Sequence, residues 1–196
     1  VRIAAPGRRR LRMLDFPTPA YDNDPELKFS IDFITPRTVR IRMLTTPVEP
    51  KPVTDEVMLA GEPGVDRTWS CSETGSKIIY SSACGVVEIE KNPWRIVLKD
   101  KSGRILTKTA TRRDNDSTQV KFTPFSFVKR SSDNARRINP VFQIAADEML
   151  FGCGESATSL NKVGQKVNLF VTDPQGPETD QMYKPVPFFF SNRGYG

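Results

Sequence analysis

The sequence predicts an all-β domain of many short strands, a sandwich or a barrel. Three observations lead there. Short runs alternate apolar and polar residues with the period of two that puts every second side chain on one sheet face. Turn residues separate the runs, and no window sustains a 3.6-residue period beyond a turn or two. The chain is 196 residues long with 37% apolar and 27% charged content, enough for one substantial core.

The elements follow in chain order. "LKFSIDFI" sets Leu27, Phe29, Ile31 and Phe33 on one face, and "TVRIRML" sets Val39, Ile41 and Met43 inward with Arg40 and Arg42 outward. Pro36 marks the turn between them. Pro47, Pro50 and Pro52 then make the stretch around "VEPKPVTDE" an extended connector. Strand patterns resume at "SKIIYSS", "GVVEIEK", "WRIVLKD", "RILTKTA" and "QVKFTPFSFVK", and later at "PVFQIAA", "EMLFGCG" and "QKVNLFV". "DKSG", Asp100 to Gly103, is a tight hairpin signal. Trp94 lies in an apolar-patterned strand and is expected in the core. No internal repeat appears, and no linker long enough to separate two domains.

Composition removes several chemistries. Histidine is absent, which excludes Ser-His-Asp and Cys-His nucleophiles and every imidazole metal site. Cys71, Cys84 and Cys153 are too few and too scattered for a zinc cluster or disulfide scaffold. Reduced, half-buried thiols are expected, although Cys71 and Cys84 could face each other across a hairpin. No metal and no cofactor are expected. No apolar run approaches the roughly 18 residues of a membrane span, so no membrane partner is expected. The net charge is +6, and residues 101–140 hold ten Lys or Arg against three Asp or Glu. That patch could attract a polyanion, but no aromatic-basic motif of the RNA-reading type accompanies it. The expected reading is a solvated basic face and no nucleic-acid partner.

Two motifs need testing. "GCGESA", Gly152 to Ala157, satisfies the G-x-G-x-x-G/A dinucleotide pattern, with Asp173 placed 19 residues after Gly154. That fingerprint requires a helix of several turns after the glycines, whereas Gly164 interrupts here and a strand pattern follows. The glycines are expected instead to serve positive φ or close backbone approach. "VTDPQGPETDQMYKP" is a stiff acidic loop carrying Asp173, Glu178 and Asp180 between two apolar segments. Long loops on rigid scaffolds often hold functional groups. A self-contained acid/base pair is not expected, because nothing in the pattern shields these carboxylates to raise a pKa.

The residues from Phe151 onward, "FGCGESATSLNKVGQKVNLFVTDPQGPETDQMYKPVPFFFSNRGYG", resemble the end of the N-terminal β-sandwich of glycoside hydrolase family 31, the α-glucosidases, α-xylosidases and relatives. The family's aromatic-Gly-x-Gly-Glu turn is matched by Phe151, Gly152, Gly154 and Glu155. Its Leu-Asn-Lys-x-Gly segment is matched by Leu160, Asn161, Lys162 and Gly164. Its run into the next domain is matched from Tyr183 to Gly196. Upstream, "KNPWRIVLKDKSGRIL" is similar to the family's Pro-aromatic strand, Asp-x-x-Gly hairpin and return strand.

The resemblance implies an antiparallel β-sandwich of the galactose-mutarotase-like type over residues 26–196. Residues 1–25 would be an N-terminal extension or first strand, and the (β/α)8 catalytic barrel would lie beyond this chain. It implies a retaining α-glycosidase whose two catalytic aspartates sit on that barrel, so no residue here is expected to be catalytic and the segment alone is expected to be inactive. The implied partners are an α-linked oligosaccharide and the barrel, which would cover part of Phe188 to Phe190. Asp173 falls on a loop aspartate that lines the outer sugar subsite in α-glucosidase members. Gln175 stands where some members have a sugar-contacting threonine, and Thr172 where a basic residue is frequent. Glu155 and Asn161 are expected to brace the turn. The other reading is a free-standing module that binds carbohydrate or, through residues 101–140, a polyanion.

Overall fold

A computed structural model describes residues 28–45, 64–110, 124–129, 132–133, 135–174, 176 and 179–196. Among these the chain is all β, with no helix. The expected extension at 1–25, Leu27, the proline connector and the start of "QVKFTPFSFVK" lie outside the described residues. Contacts divide the chain into two compact units, residues 1–143 and 144–196.

In the first unit, β1 (Lys28–Thr35) and β2 (Thr38–Leu44) form an antiparallel hairpin across the Pro36–Arg37 turn. The predicted alternation holds. Phe29, Ile31, Phe33, Val39 and Ile41 pack against a core cluster of Met43, Val87, Ile96 and Phe125. The polar face is paired as well. Asp32 Oδ2 accepts from Arg40 Nε at 3.0 Å and meets Arg42 Nε at 3.1 Å. The arginines therefore neutralise the one carboxylate between them, a cross-strand pairing that pins the register.

A six-stranded antiparallel sheet supplies the other layer. It comprises β3 (Ser70–Glu73), β4 (Lys77–Ser81), β5 (Gly85–Lys91), β6 (Trp94–Asp100), β7 (Ile105–Thr109) and β10 (Phe142–Gln143), in the order β10-β7-β6-β5-β4-β3. Val87, Ile96 and Leu98 turn to the core, with Ile96 only 1% exposed. Trp94 packs there too, edge-on to Phe29 at 5.4 Å and Phe125 at 5.9 Å. The intervening residues alternate to the opposite face, where Glu88 sits between Lys77 and Lys99 on the two flanking strands. Burial raises the Glu88 carboxyl, but hydrogen bonds from Lys99 and Lys77 outweigh it and hold the group below the ordinary range. β8 (Phe125–Lys129) pairs with β9 (Arg136–Pro140), and Phe125 from this hairpin completes the core.

The Asp100–Gly103 turn forms as predicted. Asp100 Oδ1 accepts from Ser102 N at 2.9 Å, Ser102 Oγ at 2.6 Å and Arg104 N at 3.1 Å, while Oδ2 meets Arg104 Nε at 3.0 Å. These donors, the Ser102 hydroxyl foremost and then Arg104, lower its carboxyl to about 2. Gly103 takes φ +86°, which a side chain would resist.

Three expectations need correction. "QKVNLFV" is not a strand: only Val171 makes a ladder contact, a single parallel bridge to Met182. Conversely, β3 and β9 were not legible, because "SCSE" and "RRINP" are exposed throughout and show no apolar alternation. Cys71 is exposed rather than half-buried and stands opposite Tyr80, not Cys84. All three cysteines are free.

Candidate functional site

The second unit is built on β11 (Leu150–Gly154) and β12 (Pro185–Ser191), an antiparallel pair. Its turn chemistry explains "GCG". Gly152, Cys153 and Gly154 take φ of 110°, 70° and 99°, and the register shifts between Gly152 and Gly154. A Cβ on Gly152 would meet the Phe188 carbonyl at 2.8 Å, and one on Gly154 would collide with the Lys184 carbonyl. Positive φ and close approach are thus both required. No helix follows, which rules out the dinucleotide geometry.

Two side chains hold this unit in place. Asn161 Oδ1 accepts from Leu150 N and Val163 N, both at 3.2 Å, the bracing role expected of it. Glu155 does less: it is exposed and faces Lys184 Nζ at 3.5 Å. Glu148, which sequence reasoning missed, is 4% exposed. Its Oε1 accepts from Ser191 Oγ at 2.6 Å and Tyr195 Oη at 2.5 Å, and its Oε2 from Ala145 N at 3.0 Å. Burial alone would raise this carboxyl, but these donors bring it below its ordinary value. The carboxylate thereby ties the segment before β11 to Ser191 at the end of β12 and to Tyr195 beyond it. The only sequence signal was an acid beside the apolar "MLF" run.

The acidic loop leaves this frame through the Val171–Met182 bridge, with Thr172 N donating to Met182 O at 3.1 Å. Met182 is 2% exposed and anchors that arm. Just beyond the bridge, two residues after Val171 and one after Met182, Asp173 and Tyr183 lie side by side, both exposed, and the Tyr183 phenol donates to Asp173 Oδ1. That bond raises the phenol above its ordinary value, with burial acting in the same direction. Thr172 Oγ1 turns back to the Phe170 carbonyl at 3.4 Å. Asp180 is exposed, whereas Gln175 and Glu178 lie outside the described residues. Tyr183 is ten residues from its partner in sequence. Sequence reading placed it at the start of the family-like run from Tyr183 to Gly196 but gave no sign of its contact with Asp173.

Several apolar side chains of this unit are exposed. Leu160 is 81% exposed, Phe170 75% and Phe188 56%, with Val186, Phe189 and Phe190 also exposed. Phe190 meets the Phe151 ring in a tilted pair at 5.5 Å. Among the described residues no three metal-ligating side chains gather, and no helix is long and apolar enough to cross a membrane. Of the basic run, Arg104 pairs with Asp100, Arg136 lies over the Phe127 ring at 5.9 Å, and Arg137 is exposed.

Comparison with known proteins decides the family. The model of the glycosyl hydrolase 31 N-terminal galactose mutarotase-like domain matches residues 28–196. The chain belongs to this family. Its fold is accordingly a β-sandwich, and its relatives are family 31 enzymes. The chain is 25% identical over 128 residues to an isomaltosyltransferase of Sporosarcina globispora, covering 65% of this chain and 11% of that protein. It is 25% identical over 127 residues to alpha-glucosidase 2 of Bacillus thermoamyloliquefaciens, covering 63% and 14%. An alpha-xylosidase, XylQ of Lactiplantibacillus pentosus, is 30% identical over 79 residues, covering 40% and 10%. Among solved structures, the cycloalternan-forming enzyme of Listeria monocytogenes superposes with a TM-score of 0.61 at 20% identity, over 85% of this chain and 14% of that one. The family 31 chain therefore spans between a tenth and a seventh of the length of these curated relatives.

Proposed function

We propose that this domain is the non-catalytic N-terminal domain of a retaining α-glycoside hydrolase of α-glucosidase or α-xylosidase type. In this reading it packs on a (β/α)8 catalytic barrel and supplies the Asp173 loop to the outer sugar subsite. The observation that carries the reading is the open apolar surface around β12 in a chain of this family, with Phe188 56% exposed. Left in water such a surface is unfavourable by about 25 cal/mol per Å², and a covering domain removes that cost.

Asp173 suits the subsite role. An ionised carboxylate accepts charge-assisted hydrogen bonds from sugar hydroxyls and fixes their orientation. Gln175 remains a second proposed sugar contact, since its amide can both donate and accept. Neither residue takes part in bond cleavage, so the 196-residue chain alone is expected to show no hydrolysis.

The test uses the complete enzyme. A hydrogen bond to a charged group is worth about 1.5–3 kcal/mol, so Asp173→Ala lowers kcat/KM on an α-linked disaccharide by roughly 10- to 100-fold. A glycosyl fluoride has a single-atom leaving group and leaves the outer subsite empty, so its turnover stays nearly unchanged. Equal losses on both substrates would remove Asp173 from the subsite.

A further inference from the structure

The Val171–Met182 bridge sets the two arms of the loop in register and brings Asp173 beside Tyr183. A phenol has one proton and lone pairs to accept with. Here the proton goes to Asp173 Oδ1, so towards any third group the Tyr183 oxygen can only accept. Asp173 Oδ2 has no partner among the described residues and, ionised, also only accepts. The pair thus offers two acceptors on adjacent groups, held by one shared proton. Their complement is two donors on neighbouring atoms. Adjacent hydroxyls of a pyranose have that form. The Tyr183 ring is 60% exposed and Phe170 is 75% exposed, and aromatic surface of this kind suits the C–H face of a sugar.

We propose that Tyr183 acts with Asp173 as one binding unit that recognises a vicinal diol on the sugar in the outer subsite. The proposal rests on the reading of Asp173 given above. Tyr183 fixes the carboxylate rotamer before substrate arrives, which reduces the ordering cost of binding. It also supplies the second acceptor, which makes the pair selective for a sugar with both hydroxyls present.

The experiment is a double-mutant cycle in the complete enzyme, read on an α-linked disaccharide and on the glycosyl fluoride. Tyr183→Phe keeps the ring and removes the hydroxyl. It lowers kcat/KM on the disaccharide by about three- to tenfold, the scale of one hydrogen bond, and leaves the fluoride unchanged. In an Asp173→Ala background Tyr183→Phe costs less than in the parent, because the carboxylate it orients is gone and only its own bond to the sugar is lost. A disaccharide lacking either outer hydroxyl is discriminated less by the Tyr183→Phe enzyme than by its parent. Independently of activity, the Tyr183 phenol in this chain titrates closer to its ordinary value in Asp173→Asn. Equal losses on both substrates, or losses that add across the cycle, would make Tyr183 merely structural and overturn the proposal. If Asp173→Ala is selective for the disaccharide while Tyr183→Phe is silent, the proposal fails and the subsite reading stands. If Asp173→Ala itself is unselective, the subsite reading fails and takes the proposal with it.

Discussion

Replacing Glu148 by alanine should loosen the second unit, because the residue is buried and ties its two ends together. The carboxylate is 4% exposed and accepts three hydrogen bonds, from Ser191 Oγ, Tyr195 Oη and Ala145 N. Alanine leaves those donors without an acceptor. At about 1 kcal/mol for each bond lost, the cost is about 3 kcal/mol, or roughly a 100-fold rise in the opening equilibrium. The assay is native-state amide exchange at Ser191, whose N–H donates to the Tyr195 carbonyl at 2.7 Å. Protection there falls about 100-fold, while the Ile96 amide, bonded to Thr109 Oγ1 in the first unit, is unaffected. Glu148→Gln retains one acceptor and costs about half as much. The pH dependence has a definite sign. The folded carboxyl lies below its ordinary value, so its stabilisation is complete above that ordinary value and is lost as pH falls through the folded one. Glu148→Gln removes this acid-side decline. A change in Ser191 protection below threefold in Glu148→Ala would refute the reasoning.

Three further outcomes follow from the structure. Ile96→Ala empties a site that is 1% exposed and should cost about 3–4 kcal/mol in urea unfolding followed by Trp69 and Trp94 fluorescence; a loss under 1 kcal/mol would place Ile96 outside the core. Gly154→Ala adds a Cβ against the Lys184 carbonyl at φ +99°, and should cost more than about 2 kcal/mol, seen as lost protection across β11 and β12; near-wild-type protection would contradict the bulge geometry. The Asp100 carboxyl, titrated by NMR, should show a midpoint near 2, so its stabilisation is present above the ordinary aspartate value and lost as pH falls through about 2. A midpoint near 4 would mean the Ser102 and Arg104 bonds do not persist in solution.

The fold was most legible where burial is one-sided. β1 and β2 alternate because one face meets Ile96 and Val87 while the other meets water, and period two in sequence records that asymmetry. The hairpin at Asp100–Gly103 was legible because its hydrogen bonds are local. β3 and β9 left no trace, being polar and exposed on both faces. "QKVNLFV" misled for the opposite reason. Its apolar residues, Leu169 at 45% exposure and Phe170 at 75%, are exposed, so the apolar pattern there does not record burial in a sheet. In the loop, Asp173 was reached through a family resemblance, whereas Tyr183 required the structure. The bridge that pairs them joins residues eleven apart, and no local periodicity encodes such a contact.

The central claim is that a domain of this family presents Asp173 to the outer sugar of an α-linked substrate. It is tested most directly by a structure of the complete enzyme with a bound oligosaccharide. The account predicts the Asp173 carboxylate within about 3 Å of a hydroxyl in the outer subsite, the Tyr183 oxygen beside it on the neighbouring hydroxyl, and Phe188 covered by the catalytic barrel. A bound sugar with Asp173 facing solvent, and Phe188 as open as it is in this chain, would contradict it.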